Sequence, residues 1–202
     1  MLEYSLEEEL HLLGYSTVCG VDEAGRGPLC GPVFAAACIL PDGLVLEGLN
    51  DSKKLTPKKR DLLFDLIQKE AIAYSIAQAS VEEINELNIL EATLLAMRRA
   101  IDGLSVPAEF ALIDGNINRD FQIPARAVIG GDAKSPSIAA ASILAKVARD
   151  RDCLELDRLY PQYGIAKHKG YGTKVHMEAL KQYGPSPIHR TKFIRFLDDD
   201  QS

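Results

Sequence analysis

Val18-Cys19-Gly20-Val21-Asp22-Glu23-Ala24-Gly25-Arg26-Gly27-Pro28-Leu29-Cys30-Gly31-Pro32-Val33 is an apolar run that ends in two adjacent carboxylates. It turns through Gly-Arg-Gly and enters a second apolar run that lasts to Leu40. Carboxylates at the end of a buried strand cost free energy unless a cation meets them, and a divalent metal is the natural partner. Glycines on either side of Arg26 let the backbone approach a ligand closely beside a positive charge. The stretch therefore predicts two strands, residues 17–21 and 33–40, paired antiparallel across the turn. It also predicts a metal site next to a phosphate or sugar contact.

Working outward, residues 3–13 read as a short amphipathic helix with Leu6, Leu10 and Leu13 on one face. Thr56 is a candidate N-cap with Pro57 at the first helical position, opening a helix that buries Leu62, Leu63, Leu66 and Ile67. Residues 71–79 alternate as a strand. Ser80 and Glu83 form a capping box before a helical region that runs to Ile101, with a break near residues 85–88. Strands follow at 109–113 and 126–129. After Ser135-Pro136 a helix runs through Ile138, Ile143, Leu144 and Val147, extending at most to Leu159, and its Ala139-Ala140-Ala141-Ser142 run allows a close approach to the sheet. After Pro161 come a polar segment and a helix over 173–183. The order predicts an α/β fold with a central mixed β-sheet flanked by helices. It also predicts a principal domain over 1–160 and a small C-terminal helical extension over 161–202 packed on it.

Three predicted strands end in acid: Asp22-Glu23, Asp114 and Asp132. Asp is a poor strand residue, so each placement breaks a local rule. Taken singly, Asp114-Gly115 and Gly131-Asp132 are ordinary turn chemistry. Taken with the longer motif at Asp22-Glu23, the convergence of acids points to Mg2+ or Mn2+, since hard oxygen ligands suit hard cations. The sequence holds no H-E-x-x-H, no Walker loop and no G-x-S-x-G elbow.

The formal charge of −6 argues against a protein that grips nucleic acid by net charge alone. Local basic clusters remain at Lys53-Lys54, Lys58-Lys59-Arg60, Arg149 with Arg151, Lys167-His168-Lys169 and His189-Arg190-Thr191-Lys192. No apolar run approaches the roughly 18 residues of a membrane span, and the acidic N-terminus lacks the basic start of a secretory signal. A cytoplasmic protein that does not touch membranes is expected. The four cysteines form no C-x-x-C pair and read as buried, reduced thiols rather than a structural zinc site. No extended apolar patch is evident, so a monomer is expected.

The motifs Asp22-Glu23-Ala24-Gly25-Arg26-Gly27-Pro28-Leu29, Asn50-Asp51-Ser52-Lys53-Lys54-Leu55, Asp114-Gly115, Gly131-Asp132, Ala139 through Val147, Tyr160-Pro161-Gln162-Tyr163-Gly164 and His168-Lys169-Gly170-Tyr171 occur in this order along nearly the whole chain. In this they resemble the ribonuclease HII family, the bacterial type 2 ribonucleases H. The resemblance implies an RNase H-like catalytic domain. It implies hydrolysis of the RNA strand of RNA–DNA hybrids and incision at single ribonucleotides in duplex DNA. It places the family's four active-site acids, which are also its metal ligands, on Asp22, Glu23, Asp114 and Asp132. It places the ribonucleotide-sensing turn on Gly25, Arg26 and Gly27, a substrate-contacting lysine on Lys53, and the tyrosine at the ribonucleotide–deoxyribonucleotide junction on Tyr171.

On this reading two Mg2+ or Mn2+ ions, roughly 3.5–4 Å apart, flank the scissile phosphate. Asp22 bridges them, and the cut leaves 3′-hydroxyl and 5′-phosphate ends. Lys146, Arg149, Lys167 and Lys169 are generic phosphate-contact candidates. The alternative is a nuclease of the same fold that cuts DNA junctions with no need of a 2′-hydroxyl.

Overall fold

Residue 20 has no side chain because a helix backbone lies where one would be. A Cβ on Gly20 would come within 2.5 Å of the Ser137 carbonyl oxygen and nearer still to the Ile138 amide nitrogen. The computed structural model describes residues 2–49 and 55–199. Around this contact it builds a five-stranded mixed sheet of order β3-β2-β1-β4-β5. The strands are β1 (Val18–Ala24), β2 (Val33–Ile39), β3 (Ala73–Ala79), β4 (Phe110–Asp114) and β5 (Ala125–Val128). β1, β2 and β3 pair antiparallel, while β1–β4 and β4–β5 pair parallel. The eight-residue turn between β1 and β2, residues 25–32, is too short for a parallel crossover, while β2 and β3 pair antiparallel across a longer connection that carries a helix. The chain between β3 and β4 is long enough for a crossover.

Two predicted strand ends move. β1 continues through Asp22 and Glu23 to Ala24, because β2 keeps pairing as far as Ala24↔Phe34. β4 likewise includes Asp114, which pairs with Val128. The acids therefore lie within the ladder and their backbones are held by it. β3 starts at Ala73, leaving Ile72 exposed outside it.

The helices are α1 (Ser5–Leu12), α2 (Pro57–Glu70), α3 (Val81–Leu87), α4 (Ile89–Asp102), α5 (Pro136–Leu159), α6 (Ile165–His168), α7 (Lys174–Tyr183) and α8 (Phe196–Asp199). The capping box at Ser80 and Glu83 is present. The expected break in the helical region falls at Asn88, whose φ of 82° interrupts the helix and whose side chain accepts from the Leu90 and Glu91 amides. Alternation along β1 sends Cys19 and Val21 toward the α4 side, with Leu94, Met97, Ala111 and Ile113. Gly20 and Asp22 face α5. Its Ala140, Ala141, Ile143 and Leu144 pack with Ala36 and Cys38 of β2.

Two helical faces differ from expectation. α2 buries Leu63, Phe64 and Ile67, whereas Leu62 is 63% exposed and Leu66 is also exposed. Phe64 is the larger apolar surface, so the helix rotates to bury it. In α1, Leu10 is buried while Leu13 is exposed, because the helix ends at Leu12. Glu7 of α1 is buried at the N-terminus of α5. Its Oε1 accepts from Ser135 Oγ at 2.6 Å and from the Ser137 amide at 3.2 Å, where the helix dipole favours negative charge.

After Pro161 the chain shares a separate apolar cluster with the turn and the end of α5. Leu29, Cys30, Cys153, Tyr163, Ile165 and Leu180 are among its members. All four cysteines are free and buried. No helix among the described residues is long and apolar enough to cross a membrane.

Candidate active site

Parallel pairing of Val21 with Ile113 makes the next residues, Asp22 and Asp114, neighbours across the ladder. Both belong to the face that α5 covers, by the period-2 rule. Asp22 is only 5% exposed. Its Oδ1 accepts from the Glu23 amide at 2.7 Å. Asp114 Oδ1 accepts from the Gly131 amide at 2.7 Å, which draws the turn after β5 toward the end of β4. Asp132 lies next in that turn, in the 3-10 segment Gly131–Ala133, and is buried. Glu23 is on the opposite strand face, at the strand's end, and sits 3.4 Å from Arg26 Nη1.

The carboxyl of Asp22 is held well above the usual carboxylate range. Burial is the largest cause, followed by the charges of Glu23 and Asp114. The groups that oppose the shift are the Ser142 hydroxyl and the Glu23 amide, neither of them a cation. A buried acid surrounded by acids and answered only by dipoles fits a bound hard cation, which would remove both penalties.

The turn lies directly beside these acids. Gly25 has φ 99°, and a Cβ there would stand 3.3 Å from the Pro32 carbonyl and 3.5 Å from Arg149 Nε. A Cβ on Gly27 would meet Tyr171 Cε1 at 3.3 Å. The fold thus brings Tyr171 against the turn across the length of the chain, and leaves it 48% exposed. Lys53 lies outside the described residues.

Arg149 is not a surface phosphate contact. It is buried, donates to the Lys169 carbonyl, and sets its guanidinium 5.5 Å from the centre of the Tyr171 ring. Lys146 is held by Asp150 at 2.6 Å. Lys167 remains exposed and Lys169 is half-buried.

A second set of polar groups lies under the turn; the sequence marked His168 and His189 only as members of basic clusters or a family motif and did not single out His176. The Nδ1 of His189 accepts from the Ser186 amide at 3.1 Å, so its proton is on Nε2. That proton points at His176 Nε2, 3.2 Å away, and His176 Nδ1 then donates to the Tyr171 carbonyl at 3.0 Å. His168 stacks on His176 with centroids 4.5 Å apart. Among the described residues, Cys30, His176 and His189 bring ligand atoms within 4.8 Å of one another. The tautomer chain accounts for the two histidines of this cluster as neutral hydrogen-bonded groups. Burial depresses the basicity of both rings, and that of His189 falls to about 4.

A base depressed in the folded state contributes stability above its ordinary range, near pH 6.5, that is lost as pH falls toward 4. Thermal melts of the protein should therefore drop between pH 7 and pH 5, and His189→Asn should flatten that slope. A slope unchanged in the variant would remove His189 from the account.

The chain is similar to known proteins. The family model described as Ribonuclease HII matches residues 19–196. A Ribonuclease HII of Desulfitobacterium hafniense is 57% identical over 187 residues, covering 93% of this chain and 72% of that protein. One from Caldicellulosiruptor saccharolyticus is 53% identical over 192 residues, covering 95% and 94%. Among solved structures, the ribonuclease H2 of Pyrococcus horikoshii superposes with a TM-score of 0.75 at 28% identity, covering 91% of this chain and 98% of that one. The fold also appears in Bst-RNase HIII in complex with Mn2+, with a TM-score of 0.62 at 19% identity, covering 93% and 66%. With the acids at the ends of β1 and β4, the glycine turn beside them and a family match across nearly the whole length, the chain belongs to the ribonuclease HII family of RNA–DNA hybrid endonucleases.

Proposed function

We propose that this ribonuclease H cuts the RNA strand of RNA–DNA hybrids and also incises at single ribonucleotides within duplex DNA, leaving 3′-hydroxyl and 5′-phosphate ends. Asp22, Glu23, Asp114 and Asp132 would hold divalent Mg2+ or Mn2+. When bound as a pair, such ions supply an activated water and neutralise charge on the leaving oxygen. The chain's own residues do the rest. Asp22 and Asp114 are carried on neighbouring strands, so their spacing is set by the ladder and not by loop motion. Gly25 and Gly27 expose backbone groups that can reach a 2′-hydroxyl, the group that tells RNA from DNA at one site. Arg26 adds a cation beside Glu23. Tyr171 offers an aromatic face to a sugar or base, and Lys53 a cation to phosphate. We further propose that residues 161–202 are an extension carried by a catalytic unit of residues 1–160, and that the protein acts as a monomer.

The observation that carries this reading is the contact of Gly27 with the Tyr171 ring, immediately beyond Asp22 and Glu23. It supports sugar recognition within a few residues of the acids, so the cut is tied to the ribonucleotide. The test is cleavage of a duplex with one ribonucleotide against an all-DNA duplex, with Mg2+ and Mn2+ in parallel. Cutting confined to the ribonucleotide is expected. Equal cutting of both duplexes would favour a DNA nuclease of the same fold.

Gly25→Val places a branched side chain at φ 99°. Strain of about 1–3 kcal/mol at such a position should lower single-ribonucleotide cleavage by about tenfold or more. A normal rate on that substrate would show that the turn does not read the sugar.

A further inference from the structure

Arg190 is fully buried and is the largest side chain with no exposure among the described residues. Its guanidinium has five N–H donors fixed in one plane, and each meets a backbone carbonyl of the same short loop. Nε donates to Gly31 at 2.9 Å. Nη1 donates to Arg26 at 2.9 Å and to Pro28 at 2.8 Å. Nη2 donates to Gly25 at 2.6 Å and to Pro32 at 3.2 Å. The backbone amide of Arg190 adds a sixth bond, to the Leu29 carbonyl at 2.8 Å. The Phe193 ring lies 5.3 Å from the guanidinium. Among the described residues no carboxylate is within ion-pair distance of it. This buried cation is answered by carbonyl dipoles and the face of the Phe193 ring.

Carbonyls that converge on one point repel each other and would splay apart in water. A planar fork of five donors holds them together, and a lysine ammonium, with three donors and no plane, does not reproduce it. The loop so held includes Gly25 and Arg26, with the exposed Arg26 side chain beside Glu23 and the next residue, Gly27, against Tyr171.

We propose that Arg190 is the positioning residue of the ribonucleotide-reading turn: by binding the carbonyls of residues 25–32 it sets the geometry on which discrimination of the 2′-hydroxyl depends. This rests on the reading of the turn given under Proposed function. It assigns a task to the C-terminal extension, namely delivery of the clamp to a loop more than 150 residues earlier in the chain.

The test compares Arg190→Lys with the unaltered protein on two substrates, a DNA duplex with one ribonucleotide and a long RNA–DNA hybrid. A single ribonucleotide offers one 2′-hydroxyl in one register, whereas a hybrid offers one at every position and tolerates a displaced turn. The kcat/KM on the single-ribonucleotide duplex should fall about tenfold or more, and that on the hybrid only about two- to threefold. Amide hydrogen exchange should speed up at residues 25–32 and stay unchanged in α5. A folded variant with equal losses on both substrates, or with unchanged exchange in the loop, would overturn the proposal.

If Arg190→Lys does not fold, Phe193→Leu keeps the guanidinium and removes the ring beneath it. A selectivity loss of about threefold with faster exchange confined to the loop is then expected, and unchanged selectivity overturns the proposal. Failure of the functional reading is separately visible, because the unaltered protein would then cut all-DNA duplex as well, while the exchange experiment still tests the clamp.

Discussion

Asp22→Asn should leave the protein folded and able to bind hybrid duplex, while cleavage falls by about a thousandfold or more. Charge stabilisation by bound divalent ions is worth several kcal/mol in the transition state, and each ~1.4 kcal/mol is a factor of ten in rate. Asn keeps the shape but loses the charge at the centre of the cluster. The stability effect runs the other way. Asp22 is buried against the charges of Glu23 and Asp114, which hold its carboxyl above the usual range. The folded state therefore binds that proton more tightly than the unfolded chain. In ion-free solution its contribution is full at low pH and is lost as pH rises through the raised range. The Asn variant should be as stable as the unaltered protein or more so, with a flatter loss toward higher pH. Added Mg2+ or Mn2+ should raise the melting temperature of the unaltered protein more than that of the variant, since a ligand stabilises the state that binds it. Turnover within about tenfold of the unaltered enzyme would remove Asp22 from the metal site.

Gly20→Ala should have the largest effect on stability. A single methyl group at this position would lie within 2.5 Å of backbone atoms of both Ser137 and Ile138. Neither partner is a side chain that can turn away. The first turn of α5 is anchored by Ser135, whose Oγ accepts from the Ile138 amide at 3.1 Å, and by Glu7. β1 is pinned on both edges by β2 and β4. The strand and helix must separate, and Asp22, two residues along on the same face, moves with the strand. A loss of about 4 kcal/mol or more is expected, or about 10 °C in melting temperature for a chain of this size. Gly43→Ala is the control. It has φ 68° and nothing within 4 Å of the added Cβ, so only backbone strain of about 1 kcal/mol is expected. Urea melts of the two variants compare them directly. Equal stability of both would mean that the strand and helix are not in the close contact described.

The elements that sequence placed well are those controlled by local chemistry. The capping box at Ser80, the helix start at Thr56-Pro57 and the break at Asn88 each depend on residues within a few positions of one another. The small-residue stretch of α5 was legible because a run of alanines has few uses other than close packing. The errors share a cause as well. β1 and β4 were ended before their acids because Asp is a poor strand residue. Pairing with β2 and β5 carries the ladder through them, which is a tertiary override of local preference. Leu62 and Leu66 were assigned to the core because apolar spacing along α2 admits more than one face. Only the position of α5 selects the face with Phe64. Arg149 was read as a phosphate-contact candidate and Arg190 as one of a basic cluster because nothing local distinguishes a buried arginine from an exposed one.

The sequence by itself determined the class of fold, and it singled out the acids and the Gly-Arg-Gly turn as candidate chemistry-bearing residues. The acids and the turn stand out because they break local rules together, whereas Tyr171 was marked only by the family resemblance. Tertiary structure alone decided which of them meet. Strand register set Asp22 beside Asp114, the return of the C-terminal segment put Tyr171 on Gly27, and Arg190 drew the carbonyls of the turn together. The reason is that burial and long-range hydrogen bonds depend on where distant segments pack, and no window along the chain holds that information.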